Sequence, residues 1–236
     1  MKAIILAGGF GTRLKSVISD MPKPMAPVKG KPFLEYLIWQ LKNWGYRDIV
    51  LSVGYLKDKI VSYFGDGNPW GVSIEYSKED LPLGTGGAIR EAMSKYEDKT
   101  YLVLNGDSFF NIDFESLCNF HRVKSAQASM ALSSVEDASR YGSVVMNELG
   151  EVIRFGEKQN KANGIINAGV YILNRSVLAS IPSGTISFEK EILPELIHKG
   201  LFGSMQQGFF IDIGVPEDYK KFKDYIRTSN LGIFPP

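Results

Sequence analysis

Up to about residue 105, the chain alternates between short apolar runs and amphipathic helical patterns, and this alternation restricts the fold more than any other feature. Residues 4–6 and 101–104 are continuously apolar, which is typical of strands buried on both faces of a sheet. Further strands are predicted at 49–53 and 72–76, and helices at 33–44, 57–64 and 88–96. Strands that alternate with helices join into a parallel sheet through right-handed crossovers. The sequence therefore predicts an α/β fold with a Rossmann-like, doubly wound, mostly parallel (mixed) sheet flanked by helices.

The second half of the chain has a different pattern, in which strands follow one another without long helices between them. These strands are predicted at 128–134, 142–146, 152–155 and 165–173. A helix at 187–198, a strand at 209–213 and a last helix at 216–226, with Pro216 in its first turn, complete the pattern. No linker composition separates the two patterns, so we expect a single domain over residues 1–236 with a change of character near residue 125.

Composition argues against several classes of function. The formal net charge of +1 gives no electrostatic case for binding nucleic acid or an anionic membrane. The single cysteine, Cys118, excludes an intrachain disulfide and suits a reducing cytoplasm, and we expect it in the core. The presence of only two histidines in the sequence, His121 and His198, argues against a histidine-rich zinc site. Because no apolar run is long enough for a membrane span and no signal peptide is recognised, we expect a cytoplasmic protein.

A glycine-rich turn follows the first strand. Gly8, Gly9 and Gly11 lack a Cβ, so the backbone N–H groups of this turn can approach an anion closely, and Arg13 adds a permanent positive charge. The turn is not a Walker loop, because it ends in Gly-Thr-Arg rather than Gly-Lys-Ser/Thr. It is not the dinucleotide fingerprint either, because Leu14 stands where that motif has its third glycine. The pattern predicts a phosphate-binding loop of another kind.

The chain resembles the sugar-1-phosphate nucleotidyltransferases in two stretches that match the signature of this family, Leu6-Ala7-Gly8-Gly9-Phe10-Gly11-Thr12-Arg13-Leu14 and Pro22-Lys23-Pro24-Met25. The resemblance covers nearly the whole chain and is strongest to short bacterial guanylyltransferases. It implies a fold of the glycosyltransferase-A-like type, with a nucleotide-binding half at about 1–125 and a sugar-phosphate-binding half at about 126–236.

The resemblance also implies the reaction. With Mg²⁺ as cofactor, a nucleoside monophosphate passes from a nucleoside triphosphate, expected to be GTP, to a sugar 1-phosphate, expected to be D-glycero-α-D-manno-heptose 1-phosphate. The products would be GDP-heptose and pyrophosphate, and GDP-heptose would serve the synthesis of a cell-surface polysaccharide such as a capsule, lipopolysaccharide or S-layer glycan.

Individual residues receive roles from the same resemblance. Arg13 and Lys23 are the expected catalytic residues, which hold the triphosphate and stabilise added charge. Asp107 and Asp212, each near the end of a predicted strand, are the expected metal ligands. The expected nucleotide-binding residues are Leu6, Ala7, Gly8, Gly9, Gly11, Thr12, Gly84, Thr85, Gly86, Asn105 and Gly106. The expected sugar-phosphate-binding residues are Tyr141, Gly142, Glu157, Lys158, Asn167 and Gly169.

Several alternatives stay open at this point. The chain fits another hexose-1-phosphate nucleotidyltransferase, acting on mannose or glucose 1-phosphate with GTP, CTP, UTP or dTTP. It also fits a non-catalytic relative that senses nucleotides, although the presence of all four residues Arg13, Lys23, Asp107 and Asp212 argues against this. The tail at 231–236 is expected to be loose or to reach a neighbouring subunit, so the sequence leaves a homodimer open.

Overall fold

A mixed sheet of nine strands forms the centre of the fold in the computed structural model, which describes residues 1–11, 14, 20–138, 140–156 and 162–229, without the side chains of residues 162 and 163. The strands of this sheet and of two small two-stranded sheets are β1 (Ala3–Leu6), β2 (Pro27–Val28), β3 (Lys31–Pro32), β4 (Asp48–Val53), β5 (Ser73–Lys78), β6 (Thr100–Asn105), β7 (Ser108–Phe110), β8 (Ala128–Asp137), β9 (Ser143–Met146), β10 (Val152–Gly156), β11 (Ala162–Asn174), β12 (Leu201–Met205) and β13 (Phe210–Asp212). The α-helices are α1 (Phe33–Asn43), α2 (Lys57–Phe64), α3 (Gly84–Ser94), α4 (Phe114–Val123), α5 (Leu193–Glu195) and α6 (Pro216–Thr228). Short 3-10 segments lie at Lys23–Met25, Asn68–Trp70 and Arg175–Ser180, and a π-helical turn lies at Phe188–Ile192.

The first half of the chain forms the parallel part of the sheet. Strands β5, β4, β1 and β6 lie side by side in that order, and all run parallel. The chain moves outward from β1 first to β4 and β5 and later, on the other side, to β6. Leu6 is in register with both Ser52 and Asn105, so the carboxyl ends of the three strands are level. The predicted doubly wound, mostly parallel sheet is confirmed, and the strand order reverses between β1 and β6.

Strand β11 joins the two halves of the chain. It pairs antiparallel with β6 on one side and with β8 on the other. Strand β12 runs parallel to β8, and β9 pairs antiparallel with both β11 and β10. The sheet is therefore mixed, as the change of pattern in the sequence predicts, and one continuous sheet spans both predicted halves.

Helices cover both faces of the sheet. Ile4 and Ile5 are neighbours in β1, and both are completely buried, although their side chains point to opposite faces. Ile5 belongs to a core cluster that includes Leu37 of α1 and Phe222 of α6. Ile4 belongs to a second cluster that includes Ile89 of α3. Burial on both faces explains why β1 is continuously apolar rather than alternating.

Several predicted elements differ from the structure. The helix predicted at 88–96 begins four residues earlier, since α3 starts at Gly84. The helix predicted at 187–198 is a π-helical turn followed by the short α5, because Pro194 has no N–H with which to continue a regular α-helix. The strand predicted at 209–213 is β13, which pairs with β7 outside the main sheet. Helix α4 and strand β12 had no counterpart in the prediction.

Two expectations from composition can be compared with the structure. Cys118 is half-buried and packs against the core, with its Sγ 3.2 Å from the Tyr46 hydroxyl oxygen. It therefore lies at the edge of the core rather than inside it. In the parts of the chain described here, no helix has the length and apolar character needed to cross a membrane.

Candidate active site

A cavity of about 360 Å³ opens at the carboxyl ends of the parallel strands. In open α/β sheets this edge, at the point where the strand order reverses, is where ligands bind. The cavity is lined by residues that follow β1, β5 and β6 and by the start of α3, together with two short loops from elsewhere in the chain. These lining residues are Leu6, Gly8, Gly9, Phe10, Gly11, Lys23, Pro24, Glu79, Pro82, Gly84, Thr85, Ala88, Asn105, Gly106, Asp107 and Gly214.

The three glycines after β1 serve different purposes. A Cβ on Gly8 would lie 2.5 Å from Glu79 Oε1, and a Cβ on Gly11, which has φ +58°, would lie 2.7 Å from Lys23 Cβ. These two glycines therefore allow the turn to pack against the rest of the protein. A Cβ on Gly9 would meet no atom within 4 Å, so Gly9 faces open space in the cavity. Gly9 is thus the position at which a ligand can approach the bare backbone.

The turn after β6 packs tightly against the turn after β1. The Gly106 N–H donates to the Leu6 carbonyl oxygen at 2.9 Å, and a Cβ on Gly106 would lie 2.5 Å from the same oxygen. Next to it, Asn105 Oδ1 is buried and has no hydrogen-bond partner among the described residues. A buried acceptor without a donor is costly, so a donor group on a ligand would be stabilising here.

Lys23, Asp107 and Asp212 meet at one side of the cavity. Lys23 Nζ donates to Asp107 Oδ2 at 2.7 Å and to Asp212 Oδ1 at 3.0 Å. The side chain of Lys23 is 7% exposed, that of Asp212 17% and that of Asp107 41%. The pairing of β13 with β7 brings the two acids together, because Asp212 is in register with Ser108, the residue after Asp107. The structure thus joins three predicted site residues that lie far apart in the sequence.

The start of α3 is partly engaged by the protein itself. The Gly86 N–H donates to the Ile186 carbonyl oxygen at 2.8 Å, and a Cβ on Gly84, with φ +67°, would lie 2.4 Å from that oxygen. Gly84 and Thr85 line the cavity, whereas Gly86 lies outside the lining. The glycines of this stretch therefore permit close packing against the chain near Ile186, and Gly84 and Thr85 remain available to a ligand.

The four predicted sugar-phosphate residues that the structure describes, Tyr141, Gly142, Asn167 and Gly169, lie on β11 and near α6. Asn167 Oδ1 accepts from the Gly169 N–H at 3.0 Å, and Gly169, with φ +73°, packs against Asn105. The Tyr141 ring contacts the Phe210 ring with centroids 5.8 Å apart, close to Asp212. A Cβ on Gly142 would make only ordinary contact, 3.7 Å from the Gly156 carbonyl oxygen. These residues lie beyond the cavity lining, on the side of β11 and β13.

An ion pair fixes the segment that carries Tyr141. Arg140 pairs with Asp218 of α6, and Lys221 Nζ lies 3.0 Å from Asp218 Oδ1. Burial opposes ionisation of Asp218, but hydrogen bonds from Arg140 and Lys221 outweigh it, so the pKa of Asp218 is lowered. Asp218 therefore stays ionised and holds the segment against α6.

Four predicted site residues, Thr12, Arg13, Glu157 and Lys158, lie outside the described residues. Their roles remain predictions.

Glu79 lines the cavity but was not among the predicted site residues. Its Oε1 accepts from Ser52 Oγ at 3.1 Å and its Oε2 from the Leu83 N–H at 3.1 Å. Glu79 follows β5 directly, so the rule that places ligands at the carboxyl ends of parallel strands could have identified it.

The sequence profile of the nucleotidyl transferase family matches residues 2–229. The chain belongs to this family, in agreement with its fold and with the position of its cavity.

Three members of this family are similar to the chain over nearly its whole length. The chain is 42% identical to D-glycero-alpha-D-manno-heptose 1-phosphate guanylyltransferase of Aneurinibacillus thermoaerophilus, over 94% of this chain and 96% of that protein. It is 43% identical to the protein of the same name from Campylobacter jejuni, over 94% of this chain and 98% of that protein. The crystal structure of HddC from Yersinia pseudotuberculosis complexed with GMP-PN superposes with a TM-score of 0.85 at 36% identity, covering 95% of this chain and 99% of that one.

Proposed function

We propose that this protein transfers GMP from GTP to D-glycero-α-D-manno-heptose 1-phosphate, giving GDP-heptose and pyrophosphate. The observation that carries the proposal is the cavity itself, where a bare glycine turn faces a lysine held between two aspartates. Guanine and heptose are supported by the two guanylyltransferase relatives, which match this chain over nearly their whole length. Because GTP is made in the cytoplasm, we place the reaction there, and its product would serve a cell-surface polysaccharide.

The carboxylates of the site fit a magnesium ion. Mg²⁺ is usually held by one or two carboxylates and completed by substrate phosphates and water. Asp107 and Asp212 supply two carboxylates on the cavity side of the sheet, and a cation already lies between them in the form of the Lys23 ammonium group. Within the described ranges, no group of three or more acidic, histidine or cysteine side chains is arranged to hold a metal. The donor set therefore suits an ion that arrives with the nucleotide, and Asp107 and Asp212 would hold it.

The residues of the chain would act mainly by alignment and charge. Backbone N–H groups around Gly9 would bind phosphate oxygens, as bare glycine turns do. Lys23, and Arg13 from the neighbouring segment, would stabilise the charge that develops as the sugar phosphate attacks the α-phosphorus and pyrophosphate leaves. Bound Mg²⁺ would supply further positive charge to the same oxygens. The attacking phosphate is already ionised at neutral pH, so no general base is needed.

The sugar phosphate would bind on the side of β11. Lys158 would orient its phosphate, and Glu157 and Asn167 would contact sugar hydroxyls. Asn167 is suited to this because its amide can both donate and accept hydrogen bonds. Tyr141, held in place through Arg140 and Asp218, would close over the sugar.

A panel of substrates tests the proposal. The purified chain is assayed with Mg²⁺ for pyrophosphate release, using GTP, ATP, CTP, UTP and dTTP against heptose, mannose and glucose 1-phosphates. We expect the highest kcat/KM with GTP and the heptose phosphate, and a product with the mass of GDP-heptose. A higher value with another pair would assign the chain to that reaction instead. Nucleotide binding without turnover of any pair would support the non-catalytic alternative.

A further inference from the structure

A chain of side-chain hydrogen bonds connects the nucleotide cavity with strand β11, and it passes through Glu189. On the cavity side, Thr85 Oγ1 donates to Glu189 Oε2 at 2.5 Å. On the β11 side, the Tyr171 hydroxyl donates to Glu189 Oε1 at 3.4 Å, and Asn167 Nδ2 donates to the Tyr171 hydroxyl oxygen at 2.8 Å. Glu189 itself does not line the cavity, whereas Thr85 does.

The directions of these bonds converge on the carboxylate. Thr85 Oγ1 accepts from the Phe188 N–H at 2.9 Å, and the Tyr171 hydroxyl oxygen accepts from Asn167, so each hydroxyl has its proton left for Glu189. Tyr171 is 1% exposed. Burial, and then the charge of Glu189, raise the pKa of Tyr171 well above its usual value, so the hydroxyl keeps its proton. One carboxylate thereby fixes the orientation of two hydroxyl groups.

No described residue forms an ion pair with Glu189, so an opposite charge does not explain the position of this carboxylate. The ion pairs within the described ranges do not include it, although the side chain is partly buried. A partly buried carboxylate is costly unless hydrogen bonds satisfy it. Here the satisfying groups belong to the two predicted substrate sides, Thr85 on the nucleotide side and Tyr171, through Asn167, on the sugar side.

We propose that Glu189 is a positioning residue that holds Thr85 for the nucleotide and, through Tyr171, Asn167 for the sugar, so that one carboxylate sets both substrate sites. The inference rests on the proposed function, since it assigns these sides to GTP and to the sugar phosphate.

Three substitutions distinguish the contact of Glu189 with Thr85 from its contact with Tyr171. Glu189→Gln keeps the size of the side chain, but a neutral amide can accept from only one of the two hydroxyls, and more weakly than a carboxylate does. We expect it to raise KM for both substrates by roughly 10-fold, the scale of one hydrogen bond to a charged group, with kcat changed less. Thr85→Val should raise KM for GTP alone, and Tyr171→Phe should raise KM for the sugar phosphate alone.

A matched control and double variants decide whether the residues act through one another. Glu191→Gln changes the same residue type two positions away, where Oε1 accepts from the Ser187 N–H at 2.7 Å, and it should leave both KM values unchanged. Adding Thr85→Val to Glu189→Gln should not raise KM for GTP further. The proposal is overturned if Glu189→Gln matches Glu191→Gln, or if the effects of Thr85→Val and Glu189→Gln multiply.

Dissociation constants measured by calorimetry keep this test separate from the proposed function. A wild-type protein that binds GTP and the heptose phosphate without turnover contradicts the proposed reaction alone, and the pattern of dissociation constants in the variants then decides the role of Glu189. A wild-type protein that binds neither contradicts both proposals.

Discussion

Replacing Lys23 by methionine removes the cation between Asp107 and Asp212 and leaves an unbranched apolar side chain that is one atom shorter. In the wild type the ammonium nitrogen lies 2.7 Å from one carboxylate oxygen and 3.0 Å from the other. Without it, two carboxylates would face each other across a partly buried site and would lack the ammonium group that lies between them. We expect the variant to be less stable and to bind Mg²⁺ more readily, because a divalent ion could take over the neutralisation.

The exposure of the three side chains sets the magnitude. Removing one partner of a fully buried ion pair costs about 3–5 kcal/mol, and an exposed pair is worth about 0–1 kcal/mol. The Lys23 side chain is 7% exposed but Asp107 is 41% exposed and therefore well screened by water. We expect an intermediate loss of about 2 kcal/mol, which for a chain of this size lowers the thermal midpoint by roughly 4–8 °C. If Lys23 also stabilises the transition state, kcat should fall by more than ~100-fold.

The assay is thermal unfolding without nucleotide, first without divalent ions and then with Mg²⁺. Lys57→Met is a suitable control, since Lys57 pairs with Asp80 at the same 2.7 Å distance but Asp80 is 94% exposed. The control should lose less than about 1 kcal/mol, and Mg²⁺ should change its midpoint no more than that of the wild type. Equal stability of Lys23→Met and Lys57→Met, or an equal rise of both midpoints with Mg²⁺, would contradict this role of Lys23.

Two further perturbations test the packing of the cavity and the anchor of the sugar side. Gly106→Ala would place a Cβ 2.5 Å from the Leu6 carbonyl oxygen and should lower the free energy of unfolding by about 1–3 kcal/mol, measured by thermal unfolding. The Cβ of Gly9→Ala would meet nothing within 4 Å, so this variant should unfold like the wild type but bind GTP more weakly in a titration. Equal stability of the two glycine variants would contradict this reading. Asp218→Asn should lower the thermal midpoint at pH 7. Because folding lowers the pKa of Asp218, its ionised form stabilises the fold at every pH above the pKa of an aspartate in the unfolded chain, about 3.9. That contribution is lost as the pH falls through the lower folded pKa, so the difference from the wild type should shrink near pH 3, and a constant difference would be evidence against the Arg140–Asp218 anchor.

The parallel half of the fold could be predicted because local patterns determine it. Residues 4–6 are apolar in an unbroken run, and the helix that became α1 shows a clear helical period that ends before Gly45. Alternation of such elements leaves few topologies. The same reasoning placed the turns after β1 and β6 at one edge of the sheet, and the register of Leu6 with Asn105 confirms it.

The parts that were missed depend on contacts between distant residues. Glycine favours a helix less than any residue except proline, yet Gly84 and Gly86 lie in the first turn of α3. They are needed there because the Ile186 carbonyl oxygen accepts from the Gly86 N–H and leaves no room for side chains. Strand β12 contains Gly203, whose Cβ would lie 2.4 Å from Leu132 Cδ1, so a residue that weakens the local strand signal is required by packing. Helix α4 is different, since Asp113 caps it by accepting from the Ser116 N–H, and that signal was available in the sequence.

The contacts within the candidate site could not be predicted for the same reason. The sequence indicated Lys23, Asp107 and Asp212 separately, but their contact joins positions 84 and 189 residues apart, which no local pattern determines. Glu189 was missed for the same reason, because its partners Thr85 and Tyr171 lie on other elements of the fold.

The most direct test is a crystal structure of the protein with Mn²⁺ and a non-hydrolysable GTP analogue, in which anomalous scattering locates the ion. We predict an anomalous peak about 2 Å from carboxylate oxygens of both Asp107 and Asp212, with the triphosphate lying along the turn that contains Gly9. An analogue bound elsewhere, or an ion that contacts neither aspartate while the analogue is bound, would contradict it.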